Sequence, residues 1–379
     1  MKIGILTLAQ ETNYGGILQA FAMQKVLKSL GHTPYTVDRH RRRCYANFRA
    51  NLIGFLHRVK LRYVNHKNVS VSWIPFMPDE VYRIISAKTR DFVRRNMSMT
   101  RECYFDELEA IDKEYMFDAY VVGSDQVWLP NYYRSSFLAH VDRPDVTKVT
   151  YAASCSKRSF LDVKGAKEGV KALAATFSGI SVREDTLIQR MEKYLGRTPI
   201  HVLDPTMLLC PQDYLDVTEN NVEAEPVVFC YILDESKKKD SVVSAVSSFV
   251  NLPSVSMRPP QTYIKGKIKD VNACVYPAID DWIHNINRAK FVITDSFHGT
   301  VFAILFNKPF IAIANRERGL DRFLSLLRMF HLENRLLLDI NKEDVQTILN
   351  SDIDYNVVNS ILAERRTQSI EFLSSSLSK

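Results

Sequence analysis

No two cysteines of this chain are spaced Cys-x-x-Cys. All six (Cys44, Cys103, Cys155, Cys210, Cys230 and Cys274) are scattered, which excludes a zinc ribbon or a redox dithiol and fits a reducing compartment. Neither Gly-x-Gly-x-x-Gly nor a Walker A loop occurs, so no nucleotide site is announced. No apolar run reaches the ~18 residues of a membrane span. The opening MKIGILTLAQE holds an apolar run too short for a secretion signal, broken at Gln10-Glu11. A cytoplasmic location is therefore expected. His32, His40, His57 and His66 lack ligand spacing with acids, so neither a metal nor a cofactor is expected. Nothing reads as a zinc finger, a basic zipper or an RNA-recognition core, which argues against a nucleic-acid partner. Acidic residues are missing altogether between Asp38 and Asp79.

What is present fits a soluble globular chain: 46% hydrophobic residues and 25% charged ones. At 379 residues it exceeds one ordinary core and suits two domains. A net charge of +7, with pI near 8.9, suits anionic ligands without requiring a polyanion.

Lys2–Leu8 is a continuous apolar run, as in a buried parallel strand. Asn13-Tyr14-Gly15-Gly16 reads as a turn, Ile17–Leu30 as a helix ended by Gly31, and Tyr35–Asp38 as the next strand. That is a βαβ unit. Strand-and-turn cues recur at Ala119–Trp128, Val149–Ser154, Gly179–Asp185 and Pro199–Pro205, and a second series runs from Pro226–Leu233 to Phe291–Ile313. The expected fold class is α/β, with two Rossmann-like domains facing a cleft: residues 1–190 and 191–355. Residues 356–379 form a last helix expected to pack back on the first domain.

The acid-free stretch carries Arg39, Arg41, Arg42, Arg43, Arg49, Arg58, Lys60, Arg62 and Lys67 among apolar residues such as Leu52, Phe55 and Leu56. Helices that lie peripherally on anionic membranes, here the inner face, are patterned this way. The plainer reading is a solvated helix pair with its apolar face in the core.

The richest segment is FVITDSFHGTVFAILFNKPFIAI, Phe291–Ile313. A strand hands over to a helix through Asp295-Ser296-Phe297-His298-Gly299-Thr300. Ligands of open α/β sheets sit at such carboxyl ends, and a helix start offers unpaired N–H groups and a positive dipole end to an anion. Ser296, Gly299 and Thr300 are thus candidates for an anion, with Lys308 adding a full charge. His298 places a group that titrates near neutrality inside that site.

Taken in order, the turns form a pattern: Asn13-Tyr14-Gly15, Val122–Trp128, Tyr151–Ser154, Ser181–Asp185, Asp204-Pro205-Thr206, Thr294–Gly299, Asn307-Lys308-Pro309 and Leu320–Phe323. In these the chain resembles the polysaccharide pyruvyl transferase family from residue 1 to about 330. Two departures are Leu129, where the family often has Asn, and Glu184–Leu187, which lacks a common glycine. The resemblance implies a GT-B-like fold, phosphoenolpyruvate as donor, and a sugar or lipid-linked oligosaccharide as acceptor, joined as a pyruvate ketal with release of phosphate. It points to His298 as general acid. Asp204 is the candidate base, with Asp295 as a competitor or as the group that orients the imidazole. Arg183 suits the donor carboxylate or phosphate, an ion pair with Glu184 or Asp185 being its other reading. Asn13, Tyr14, Gly15, Asp125, Gln126 and Trp128 are expected to face the acceptor. A sugar-nucleotide glycosyltransferase or a non-catalytic sugar-phosphate-binding protein on the same fold are the alternatives.

Overall fold

The computed structural model describes residues 1–40, 48–64, 71, 77–130, 132–155, 159–163, 165–219, 225–263, 268, 270–314 and 319–378. The chain opens with β1 (Lys2–Leu6) and β2 (Thr33–Thr36), then a short pair, β3 (Arg39–His40) and β4 (Cys103–Tyr104). β5 (Ala119–Val122), β6 (Thr147–Ala153), β7 (Gly179–Val182) and β8 (Ile200–His201) complete the first sheet. Its order is β2-β1-β5-β6-β7-β8, parallel throughout. The second sheet holds β9 (Val227–Tyr231), β10 (Ser254–Ser256), β11 (Ala289–Thr294), β12 (Phe310–Ile313) and β13 (Leu336–Leu337), ordered β10-β9-β11-β12-β13 and again parallel. Strands buried on both faces explain the continuous apolar runs; β5, β9 and β12 are buried at every residue.

In each sheet the chain leaves its first strand in one direction and later returns on the other side, between β1 and β5 and between β9 and β11. These are the switch points where the loops splay apart and leave a crevice. Two boundaries differ from the sequence reading. The first domain runs past residue 190, because the helix Thr186–Leu195 and β8 close the edge of its sheet. The first helix starts at Tyr14 rather than Ile17, with Asn13 at its N-cap position. Gly15 and Gly16 are therefore helical residues, kept small by close neighbours rather than by a turn.

One hydrophobic cluster joins the domains. Tyr14, Ile17, Leu18 and Phe21 of the first helix share it with Tyr214, Phe229, Tyr231, Trp282 and Phe302. The terminal helix Tyr355–Leu377 lies on β6 and β7 of the first domain. Ser178 Oγ donates to the Ser376 carbonyl (2.7 Å) and the Leu203 N–H to Ser369 Oγ (3.0 Å). Gly179 has no room for a side chain there, since a Cβ would stand 2.1 Å from Ser376 Oγ.

The acid-free stretch includes the helix Phe48–Tyr63. Arg41, Arg42, Arg43 and Lys67 lie outside the described residues. Arg39 does not belong to a basic surface: it is 2% exposed, donates to Ser135 Oγ and the Thr7 carbonyl, and lies over the Phe105 ring. Strand β3 points it into the domain.

Candidate active site

The two switch points face each other across a cavity of about 580 Å³. The first domain lines it with Leu8, Thr12, Asn13 and Tyr14 after β1 and with Asp125 and Gln126 after β5. The second lines it with Leu233 after β9, Met257 and Arg258 after β10, Asp295, Ser296, Phe297 and His298 after β11, and Arg322.

His298 sits in the first turn of the helix Phe297–Leu305, whose N-cap Ser296 accepts from the Gly299 N–H. The imidazole is 6% exposed and pressed against Gly15 of the opposite domain; a Cβ there would lie 2.1 Å from Nδ1. Only glycine permits that approach. His298 Nε2 has no hydrogen-bond partner and stands 3.5 Å from Asp204 Oδ2, close enough for a charge pair but not a formed hydrogen bond.

Beneath the cavity lies a buried charge layer. Arg183 donates through Nη1 to Asp204 Oδ2 (2.8 Å), through Nη2 to Asp125 Oδ1 (3.3 Å) and through Nε to Glu184 Oε1 (3.4 Å), with its guanidinium 4.4 Å from the Phe297 ring centroid. Burial favours the neutral acid in all three carboxyls. At Asp204 it is overcome by His298 and then Arg183, which hold that carboxyl well below its ordinary range. At Asp125 the cations Arg183, His298 and Arg322 likewise win. At Glu184 burial wins and its pKa is raised despite Arg183.

These contacts revise several expectations. Arg183 does not line the cavity; its own carboxylates occupy it. Asp204 is a poor base, because Thr206 N–H, Thr206 Oγ1, Ser124 Oγ and Arg183 already donate to it and keep it ionised. Its Oδ2 also faces His298 Nε2, at 3.5 Å. Asp295 makes no contact with His298. Its oxygens accept from the Leu233 N–H (2.6 Å), the Asp234 N–H (3.0 Å) and Lys239 Nζ (2.6 Å), pinning the loop after β9 to the turn after β11. Lys308 lies on the wrong side: a helix in a βαβ unit returns to the amino end of the next strand, away from the crevice. Its Nζ donates to the Asn287 carbonyl.

Gly299 is held against β11, where a Cβ would stand 2.2 Å from Thr294 Oγ1, and Thr300 Oγ1 donates to the Ser296 carbonyl (3.1 Å). Both are packing residues. Trp128 is fully buried in the first domain, stacked on Phe137 with ring centroids 5.8 Å apart. Tyr14 is 1% exposed; its hydroxyl donates to the Pro277 carbonyl and its ring packs on Tyr231, Tyr276 and Trp282. It fastens the domains together more than it offers a surface to a ligand.

The structure keeps Asn13, Tyr14, Asp125, Gln126, Asp295, Ser296 and His298 on the cavity wall and adds two arginines that the sequence reading assigned no role. Arg322 lies 5.7 Å from the Phe297 ring centroid, and Gln126, in the amide orientation that satisfies both groups, accepts from its Nη1 and Nη2 at 3.2 Å. Arg322 falls inside the Leu320–Phe323 match, so it was within reach. Arg258 is signalled only by its place after the carboxyl end of β10; it pairs with the exposed Glu235 at 3.2 Å. Asp125 is itself held at φ 72°, a left-handed conformation secured by its carbonyl accepting from the Val127 and Ser154 N–H groups.

A sequence profile of polysaccharide pyruvyl transferases matches residues 13–317. The chain belongs to the polysaccharide pyruvyl transferase family. No curated relative matches it significantly. Among solved structures it resembles the UDP-GlcNAc 2-epimerase of Neisseria meningitidis bound to UDP-GlcNAc, at 10% identity over 98% of this chain and 99% of that one, with a TM-score of 0.50. The Rickettsia bellii UDP-N-acetylglucosamine 2-epimerase gives 12% identity, 100% and 97% coverage and a TM-score of 0.49. The parallel sheets and the likeness to the Neisseria enzyme give the fold as the two-domain, GT-B-like α/β arrangement. Its sheets place Asp295, Ser296, Phe297 and His298 on the cavity wall.

Proposed function

We propose that this member of the family transfers pyruvate from phosphoenolpyruvate to two hydroxyls of a sugar in a surface polysaccharide or its lipid-linked precursor. What carries the reading is the gathering of His298, Arg258, Arg322 and the start of the helix Phe297–Leu305 in one cavity. Phosphoenolpyruvate bears a carboxylate and a phosphate. Two arginines and a helix N-terminus match that pair of anions, with arginine suited to bidentate contact. The surface pair Arg258–Glu235 is weak enough to be exchanged for a ligand.

In this reading the His298 imidazolium, with Asp204 as its counter-ion, gives its proton to the donor methylene carbon. The central carbon becomes cationic and a sugar hydroxyl oxygen bonds to it. That hydroxyl's proton restores the imidazolium, with Asp125 orienting the acceptor. The carbon–oxygen bond to phosphate then breaks, the second hydroxyl adds, and its proton leaves with phosphate. The donor is a cytosolic metabolite, so the reaction belongs to the cytoplasm, and no cofactor enters the balance.

The test is phosphate release from phosphoenolpyruvate over a panel of glycan acceptors. The wild type is expected to turn over, His298→Asn to lose at least ~100-fold in rate, and Arg258→Ala to raise KM. If no acceptor gives phosphate while sugar nucleotides raise Tm and phosphoenolpyruvate does not, the reading is wrong.

A further inference from the structure

The helix Phe48–Tyr63 presents an apolar stripe to solvent. Leu52, Leu56 and Tyr63 are 38%, 56% and 65% exposed, and Val64 just beyond is 66% exposed. At about 100° per residue, Leu52, Leu56, Val59 and Tyr63 fall within an arc of about 60°. Lys60 lies on one flank of that arc and Arg62 on the other; Val59 within it, Phe55 between it and Arg62, and Arg58 and Leu61 on the remaining sides are half-buried. The helix therefore rests one side on the protein and turns an aliphatic and aromatic ridge outward.

Charge decides what covers such a ridge. Residues 40–78 hold eight Lys and Arg and no Asp or Glu, so the surface that complements this ridge is anionic. Apolar side chains along one line, cations on its flanks and an acid-free stretch of sequence around it are the features of a helix lying in the plane of an anionic bilayer. Among the described residues, no helix is long and apolar enough to cross one. The insert is rooted where the first domain has a cavity of its own, of about 600 Å³, because His40 before it and Asp79 after it both line that cavity.

We propose that Leu52, Leu56 and Tyr63 form a docking ridge for an anionic membrane surface, so that the protein binds peripherally beside the mouth of its first domain. This surface is separate from the catalytic reading, and its test uses no turnover as primary readout. The full-length protein is sedimented with vesicles of phosphatidylcholine alone and with one-third phosphatidylglycerol, at low and at high salt. Binding is expected only to the anionic vesicles, weakened at least tenfold by high salt, by Leu56→Glu, or by Lys60→Glu. Leu56→Glu, exposed and remote from His298, should keep its thermal melt and its phosphate release with a water-soluble acceptor. Equal binding to neutral and anionic vesicles, no binding at low salt, or unchanged binding by Leu56→Glu would each overturn the proposal. So would a dimer in light scattering that Leu56→Glu dissociates, since the ridge would then belong to a second copy of the chain.

Discussion

At the residue scale the site turns on a glycine. Gly15 and His298 come from opposite domains, and the imidazole rests where a side chain at residue 15 would be. Gly15→Ala is therefore expected to leave the far-ultraviolet dichroism unchanged and to lower kcat/KM by ~100-fold, the usual penalty for displacing a catalytic group by about an ångström. Steady-state phosphate release checks it, and a wild-type rate would show that His298 is not held by this contact. From the sequence, Asn13-Tyr14-Gly15-Gly16 looks like a turn, because two glycines beside Asn are turn chemistry. What keeps Gly15 small is His298, roughly 280 positions away in the chain, and local pattern carries no such information. Arg183 is the complementary lesson. Its residue type announces an anion, but which carboxylates lie within reach is a tertiary fact, and Asp125, Glu184 and Asp204 saturate it.

At the scale of elements, the strand-to-helix handovers were legible because parallel strands buried on both faces read as plain apolar runs ending in polar turns. The end of the sheet on which a given turn falls follows from the same rule, and it moves Lys308 away from the crevice. The staple between two handovers was not legible. Asp295 ties the loop after β9 to β11 through Lys239, at 2.6 Å, with the carboxylate fully buried. Removing one partner of a buried pair leaves a charge uncompensated, so Lys239→Met is expected to cost about 3 kcal/mol. Urea denaturation measures it. A loss under about 1 kcal/mol would mean that the two backbone N–H donors alone satisfy Asp295.

For the whole molecule, stability should carry a pH signature written by a network that spans several segments of the first domain. His40 lies 3.1 Å from both Asp38 and Glu11, Arg90 grips Asp38 through both oxygens, and Tyr82 donates to Glu11. Hydrogen bonds to Asp38 and then Glu11 push the His40 imidazole up from 6.5 to about 9, against the opposing effect of burial. A raised value in the folded state means a contribution fully present below about 6.5 and lost as the pH climbs through about 9. Urea midpoints from pH 6 to 10 should fall more steeply for the wild type than for His40→Gln, which should be less stable at pH 6 and converge with it above pH 9. Parallel curves would show that His40 is not charged in the fold.

By itself the sequence determined the α/β class, the two parallel sheets, the family and the central histidine, since each follows from short-range period, turn chemistry or motif order. Only the tertiary structure decided which charges line the cavity and which meet one another. That division depends on loops from two sheets approaching across a domain interface. Its contacts set the desolvation and pairing that leave Arg258 and Arg322 facing the cavity while Arg183 and Asp204 are buried beneath it.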